Sequence, residues 1–158
     1  MNTKIAQDAL SHYDLPDAQV IFIGQSQNTT FRVETPTGNK FLLRTHAGIG
    51  ANKDDSQDVW QELPVVQSEL LWLQALHRDT PISVPQPVRN RSGKLVTKVS
   101  NPAFPKLLSC TLLRWVEGEH LKAEPTPEQV RLLGKLMAQL HQHAISVAVA
   151  VRLYSSKS

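Results

Sequence analysis

Arg44 and Glu69 are the two side chains whose types and surroundings suit them to act together. The stretch GNKFLLRTH, Gly38 to His46, alternates like a strand, so Leu42 and Arg44 share one face while Phe41 and Leu43 take the other. An arginine in that place either ends the strand in water or grips an anion such as phosphate. In a later helical run, Glu69 has Val65, Val66, Trp72, Leu73 and Leu76 as its neighbours at helical spacing, so its carboxylate projects from an apolar face. A buried charge left unpaired costs roughly 3–5 kcal/mol, and the preceding strand offers Arg44 as the partner. The alternative is that Glu69 lies at the helix edge and reaches water. A third candidate is the turn GQSQNTTFRV, a small-residue loop between strand-like runs. It can bring backbone N–H groups, and the hydroxyls of Ser26 or Thr29, onto phosphate oxygens. A plain polar hairpin turn explains the same residues. His141 and His143 sit two apart, on different sides of a helix, and are not read as a metal site.

The elements that must carry these residues follow from pattern. Thr3 to His12 reads as a short helix, and LPDAQVIFIG as a strand ending at Gly24. NTTFRVETPTGNKFLLRTH is a β-hairpin whose turn is PTGN. The polar run from His46 to Pro64 reads as a long loop, and VVQSELLWLQALHRD as a helix closed by Pro81, Pro85 and Pro87. QPVRNRSGKLVTKV is expected to form a second hairpin about Arg91-Ser92-Gly93, followed by the strand LLSCTLLRWVEGE, which breaks at Gly118. TPEQVRLLGKLMAQLHQHA opens a helix with Thr126 as N-cap, Pro127 at its first position and Gln129 completing a capping box. Antiparallel strands with one helix inserted point to an α+β fold.

Composition sets wide bounds. With 158 residues, 41% hydrophobic and 20% charged, the chain suits a globular domain and neither a disordered nor a fibrous one. Seventeen basic against fourteen acidic residues is too mild an excess to identify a partner. The lone Cys110 cannot form an internal disulfide, and the N-terminal residues lack a secretory pattern, which gives the expectation of a cytoplasmic protein. No apolar run is long enough to span a membrane.

Taken together, these motifs resemble the N-terminal lobe of the aminoglycoside phosphotransferase and choline kinase group, relatives of the protein kinases. The likeness runs from about Ala9 to Ala144. GQSQNTTFRVET is similar to the family's nucleotide-loop hairpin, with Asn28 in its turn. KFLLRTH is similar to its third strand, SELLWLQAL to the helix whose Glu holds the cation, TLLRWVEGEHL to the interlobe linker, and LLGKLMAQLHQHA to the helix beyond. The resemblance implies a kinase-like small lobe, an antiparallel five-stranded sheet with one inserted helix, over residues 1–117. A linker and first helix of a second lobe would occupy 118–144, and an atypical tail 145–158. It further implies ATP as cofactor, with Ser26, Asn28 and Thr29 at the phosphate loop and Arg44 on the α and β phosphates, held by Glu69. Leu42 would cover the adenine, and backbone groups at Arg114 and Val116 would read its edge.

Phosphoryl transfer also needs a carboxylate base and Mg²⁺ ligands. The last aspartate is Asp79 and the last glutamate Glu128, so no catalytic or metal-binding residue is assigned and the chain is expected to be inactive alone, as a truncated or frameshifted relative. The likeness is expected to stop at His143-Ala144, and the tail ISVAVAVRLYSSKS reads as β-prone, with a final strand at Ile145 to Leu153 as the alternative of a stand-alone small lobe. Leu133, Met137 and Leu140 would then be left uncovered, which predicts self-association. A non-catalytic interaction module is the competing function. Nucleic-acid binding through Arg89, Arg91, Lys94 and Lys98 is disfavoured, because those charges flank a turn with few aromatics.

Overall fold

The computed structural model describes residues 2–26, 28–46, 63–100, 107–119 and 124–155. The expected loop of residues 47–62 lies outside them. Met1–Val116 and Glu117–Ser158 are two separate compact units.

In the first unit, helix α1 (Asn2–Leu10) precedes strands β1 (Gln19–Gln25), β2 (Thr29–Glu34) and β3 (Lys40–His46). Helix α2 (Leu63–Asp79) is followed by β4 (Pro87–Val88), β5 (Thr97–Val99) and β6 (Leu108–Arg114). The sheet is antiparallel throughout, in the order β1-β2-β3-β6-β4, with β5 also on β6. The β2–β3 hairpin turns where PTGN places it. There Gly38 adopts φ 82°, and its N–H donates to the Thr35 carbonyl at 2.9 Å.

One helix packs on each face of the sheet, while β1 stays largely exposed. On one side, Ile5, Ala6, Ala9 and Leu10 of α1 are spaced to form a single stripe, which packs with Tyr13 on Phe31, Val33, Phe41, Leu43 and Leu112. On the other, Val66 and Leu70 of α2 pack on Leu113 and Val96, with Leu42 against them. β6 has strands along both edges and residues on both faces buried under these clusters, so Leu108 through Leu113 are all buried where an ordinary strand would alternate.

The expected second hairpin does not form. β4 and β5 do not pair with each other; both pair with β6. Val88 stands opposite Leu112 and Thr97 opposite Cys110, so the two short strands lie end to end along one edge and residues 89–96 loop out. The turn itself is where it was expected. Asn90 Oδ1 accepts the N–H groups of Ser92 and Lys94 at 3.0 Å each, Asn90 Nδ2 donates to Thr97 Oγ1 at 3.0 Å, and Gly93 supplies φ 75°. Pinned in this way, the turn swings off the sheet, and the flanking strands are too short to close on one another. Among the described residues, six strands thus occupy five positions across the sheet.

The second unit contains helix α3 (Pro127–Ser155). Its capping box is reciprocal: Thr126 N–H donates to Gln129 Oε1 at 2.8 Å, and Gln129 N–H to Thr126 Oγ1 at 3.3 Å. The alternative of a final strand at Ile145 to Leu153 is overturned, since the helix backbone continues through Ser155. β-branched residues cost a helix only a few tenths of a kcal/mol each, and a helix already nucleated and interleaved with alanine carries them. Among the described residues no helix is long and apolar enough to cross a membrane.

Candidate functional site

Strand parity places Leu42, Arg44 and His46 on the face of β3 turned toward α2, opposite to Phe41 and Leu43. Register then chooses their neighbours. Leu42 stands between Arg32 and Leu113, Arg44 between Thr30 and Thr111, and His46 beside Ser109. Arg44 Nη1 donates to Glu69 Oε1 at 2.9 Å. The guanidinium side chain is 16% exposed and the carboxylate 41%. Glu69 therefore both pairs with Arg44 and sits at the edge of the helix's buried row, in reach of water. Arg44 Nε and Nη2 are buried with no hydrogen-bond partner among the described residues. A guanidinium presents its donors as a planar fork that fits carboxylate or phosphate oxygens, and buried donors left unpaired are costly.

His46, which the sequence reading passed over, lies beside this arginine. Its Nε2 is 3.0 Å from Thr111 Oγ1, and its Nδ1 has no partner among the described residues. Burial first, and then the neighbouring Arg44 charge, pull its pKa down to about 4, so the ring is neutral at neutral pH. Lys98 Nζ donates to Ser109 Oγ at 2.7 Å, which brings a second cation onto the same face. The signal that could have found His46 is its parity with Arg44; nothing local marks Lys98, Thr30 or Thr111. On β2, Arg32 Nε lies 3.0 Å from Glu34 Oε1, an ion pair by distance whose angle is too poor for a hydrogen bond.

The remaining expected residues divide. Ser26 is exposed in the β1–β2 turn, where its N–H donates to the Asn28 carbonyl at 3.0 Å, and Asn28 is half-buried. Thr29 is buried and pairs with Thr45, on the face of β2 opposite to Arg44's. Thr30 takes the place beside Arg44, with its hydroxyl donating to the Gly24 carbonyl at 3.1 Å. The threonine beside Arg44 is thus Thr30, one residue on from Thr29, because one step along a strand reverses the face. Arg114 ends β6 with its guanidinium carbon 5.9 Å from the Phe41 ring centroid, and its N–H donates to the Gln86 carbonyl at 2.8 Å. That N–H is already used. Val116, past the end of the ladder, is exposed.

A small antiparallel sheet with a helix inserted after its third strand, and that helix's glutamate clamped on the strand's arginine, is the architecture of a kinase-like small lobe. The chain belongs to the phosphotransferase enzyme family (APH), whose family model matches residues 19–150. The match extends past Ala144, where the likeness was expected to stop. Among solved structures, a microcompartment-associated aminopropanol kinase is 29% identical, with a TM-score of 0.66 over 89% of this chain and 40% of that one. The amicoumacin kinase hAmiN, solved in complex with AMP-PNP, Ca²⁺ and Ami, is 18% identical, with a TM-score of 0.58 over 75% of this chain and 32% of that one. The chain thus spans less than half the length of either kinase. No curated protein matches it significantly.

Proposed function

We propose that this chain supplies the nucleotide-binding lobe of an ATP-dependent small-molecule kinase, which transfers the γ-phosphate to a hydroxyl. Arg44, oriented by Glu69, takes the α and β phosphates. Leu42 gives the adenine an apolar cover, with the exposed Ile21 of β1 two strands away on the same face, beyond Arg32. The backbone of the turn at Ser26, Asn28 and Thr29 approaches the phosphates, and Val116 presents the linker backbone to the adenine edge. Arg114 contributes less than expected, since its N–H is spent on Gln86.

The observation that carries this reading is the 2.9 Å Arg44–Glu69 contact together with the two further buried, unpartnered N–H positions of the same guanidinium. That donor set fits a phosphate. Mg²⁺ would enter with the nucleotide, and none of the described residues form a cluster able to hold it. The catalytic base and the acceptor-selecting residues are not assigned to this chain, and transfer is proposed to need further protein. The exposed row Val130, Leu133 and Met137 of α3 is proposed as a surface for self-association.

Thermal unfolding with ATP and Mg²⁺ tests the site. Nucleotide at about a hundred times its Kd stabilises a folded binder by about 2.7 kcal/mol, readable as a raised Tm. Arg44→Ala should abolish the shift and Arg44→Lys should keep part of it, with circular dichroism confirming that both variants fold. A shift that survives intact in Arg44→Ala would refute the assignment.

A further inference from the structure

Helix α2 presents a second flank that the nucleotide reading does not use. Leu63, Gln67 and Leu71 are spaced four apart and form one row, and Glu69 points about 200° away from Gln67 and Leu71 around the axis. Against this row, closed on its other side by Leu95 and Val96, lies a cavity of about 600 Å³. Its volume is that of a site for a small organic molecule.

The wall is pre-built. The turn that carries it is held by Asn90, and Arg89 Nη1 donates to the Gly93 carbonyl at 2.9 Å, which fixes the guanidinium at the cavity's edge. Lys94 and Lys98, the latter also donating to Ser109 Oγ at 2.7 Å, complete a rim of three cations, and none of the described lining residues is acidic. Leu71 is 57% exposed at its mouth. An apolar floor under three cations selects an apolar body that carries a negative charge: the floor rejects a fully hydrated anion, and the cations favour anionic over neutral ligands.

We propose that this cavity binds a small amphipathic anion, an apolar ring or chain bearing one carboxylate, sulfonate or similar group. The charged group sits among Arg89, Lys94 and Lys98, and the apolar body lies along Leu63, Leu71, Leu95 and Val96.

Amide-resolved NMR titration of the full chain with naphthalenesulfonate, and with neutral naphthalenemethanol as control, tests this. Saturable shift changes are expected at the amides of Gln67, Leu71 and Gly93 to Val96, with the neutral analogue binding more weakly. The double variant Arg89→Gln/Lys94→Gln should bind the sulfonate about ten-fold more weakly, and added salt should weaken wild-type binding. Both substituted residues are exposed, and Lys94→Gln alone should give about a three-fold loss if the double variant folds poorly. Three results would overturn the proposal: no saturable change at those amides, equal affinity for the neutral analogue, or unaltered affinity in the charge variants. The titration reads binding on this flank alone, so it stands or falls independently of nucleotide at Arg44.

Discussion

Removing the Glu69 carboxylate leaves the Arg44 guanidinium mostly buried without its only described ion-pair partner. Because Glu69 is 41% exposed, water screens the contact, and Glu69→Ala should cost about 1 kcal/mol, well short of the penalty for a fully buried pair. Urea unfolding measures this, and Glu69→Gln, which keeps an acceptor near Arg44, should recover part of it. His46 makes a separate prediction about pH. Its folded pKa of about 4 lies below the ordinary value of 6.5, so the unfolded chain takes up the proton first. Its contribution to stability is complete above about pH 6.5 and is lost as the pH falls toward 4. At roughly 1.4 kcal/mol per pH unit, this amounts to about 3 kcal/mol. Urea midpoints from pH 7 to about 4 should fall steeply in the wild type, and His46→Gln, which cannot take up a proton there, should flatten that part of the profile.

Among the elements, α3 offers the most direct test, because its start rests on two reciprocal hydrogen bonds at Thr126 and Gln129. Thr126→Ala removes the side-chain acceptor and should lower helix stability by about 1 kcal/mol, seen as reduced ellipticity or earlier amide exchange in the first turn. An unchanged first turn would mean that Pro127 and the Glu128–Arg131 ion pair at 2.9 Å suffice. The same helix shows how far pattern reading reaches. The capping box is a local signal four residues long and was legible. The fate of Ile145 to Leu153 was not, because valines alternating with alanines match a strand's period while their penalty in a helix is small beside the cooperativity of a long one. β4 and β5 failed as a hairpin for a different reason. Each found its partner in β6, a strand that arrives later in the chain, and no turn signature encodes that preference.

For the whole molecule, the exposed apolar residues of α3 are the feature most open to test. Val130, Leu133 and Met137, spaced three and four apart, are 53%, 56% and 49% exposed. Light scattering should show mass growing with concentration, and Leu133→Lys with Met137→Lys should return the chain toward the monomer mass. A monomer at high concentration would remove α3 as an association surface.

Read alone, the residues of this chain were enough to establish that Leu42 and Arg44 share a face, to offer Arg44 as a partner for Glu69, to place the β2–β3 turn and to show which family the motifs resemble. Each of these depends on period-two or period-3.6 spacing or on a turn residue, and such signals act over a few neighbouring positions. Folding in three dimensions decided the rest: that Thr30 and Thr111, and not Thr29, flank Arg44, that His46 is buried beside it, and that α2 turns one flank to the ion pair and another to a basic cavity. Strand register and helix rotation are set by which distant apolar surfaces meet. Those contacts join segments such as β3 and β6 that are far apart along the chain, so no local pattern carries them.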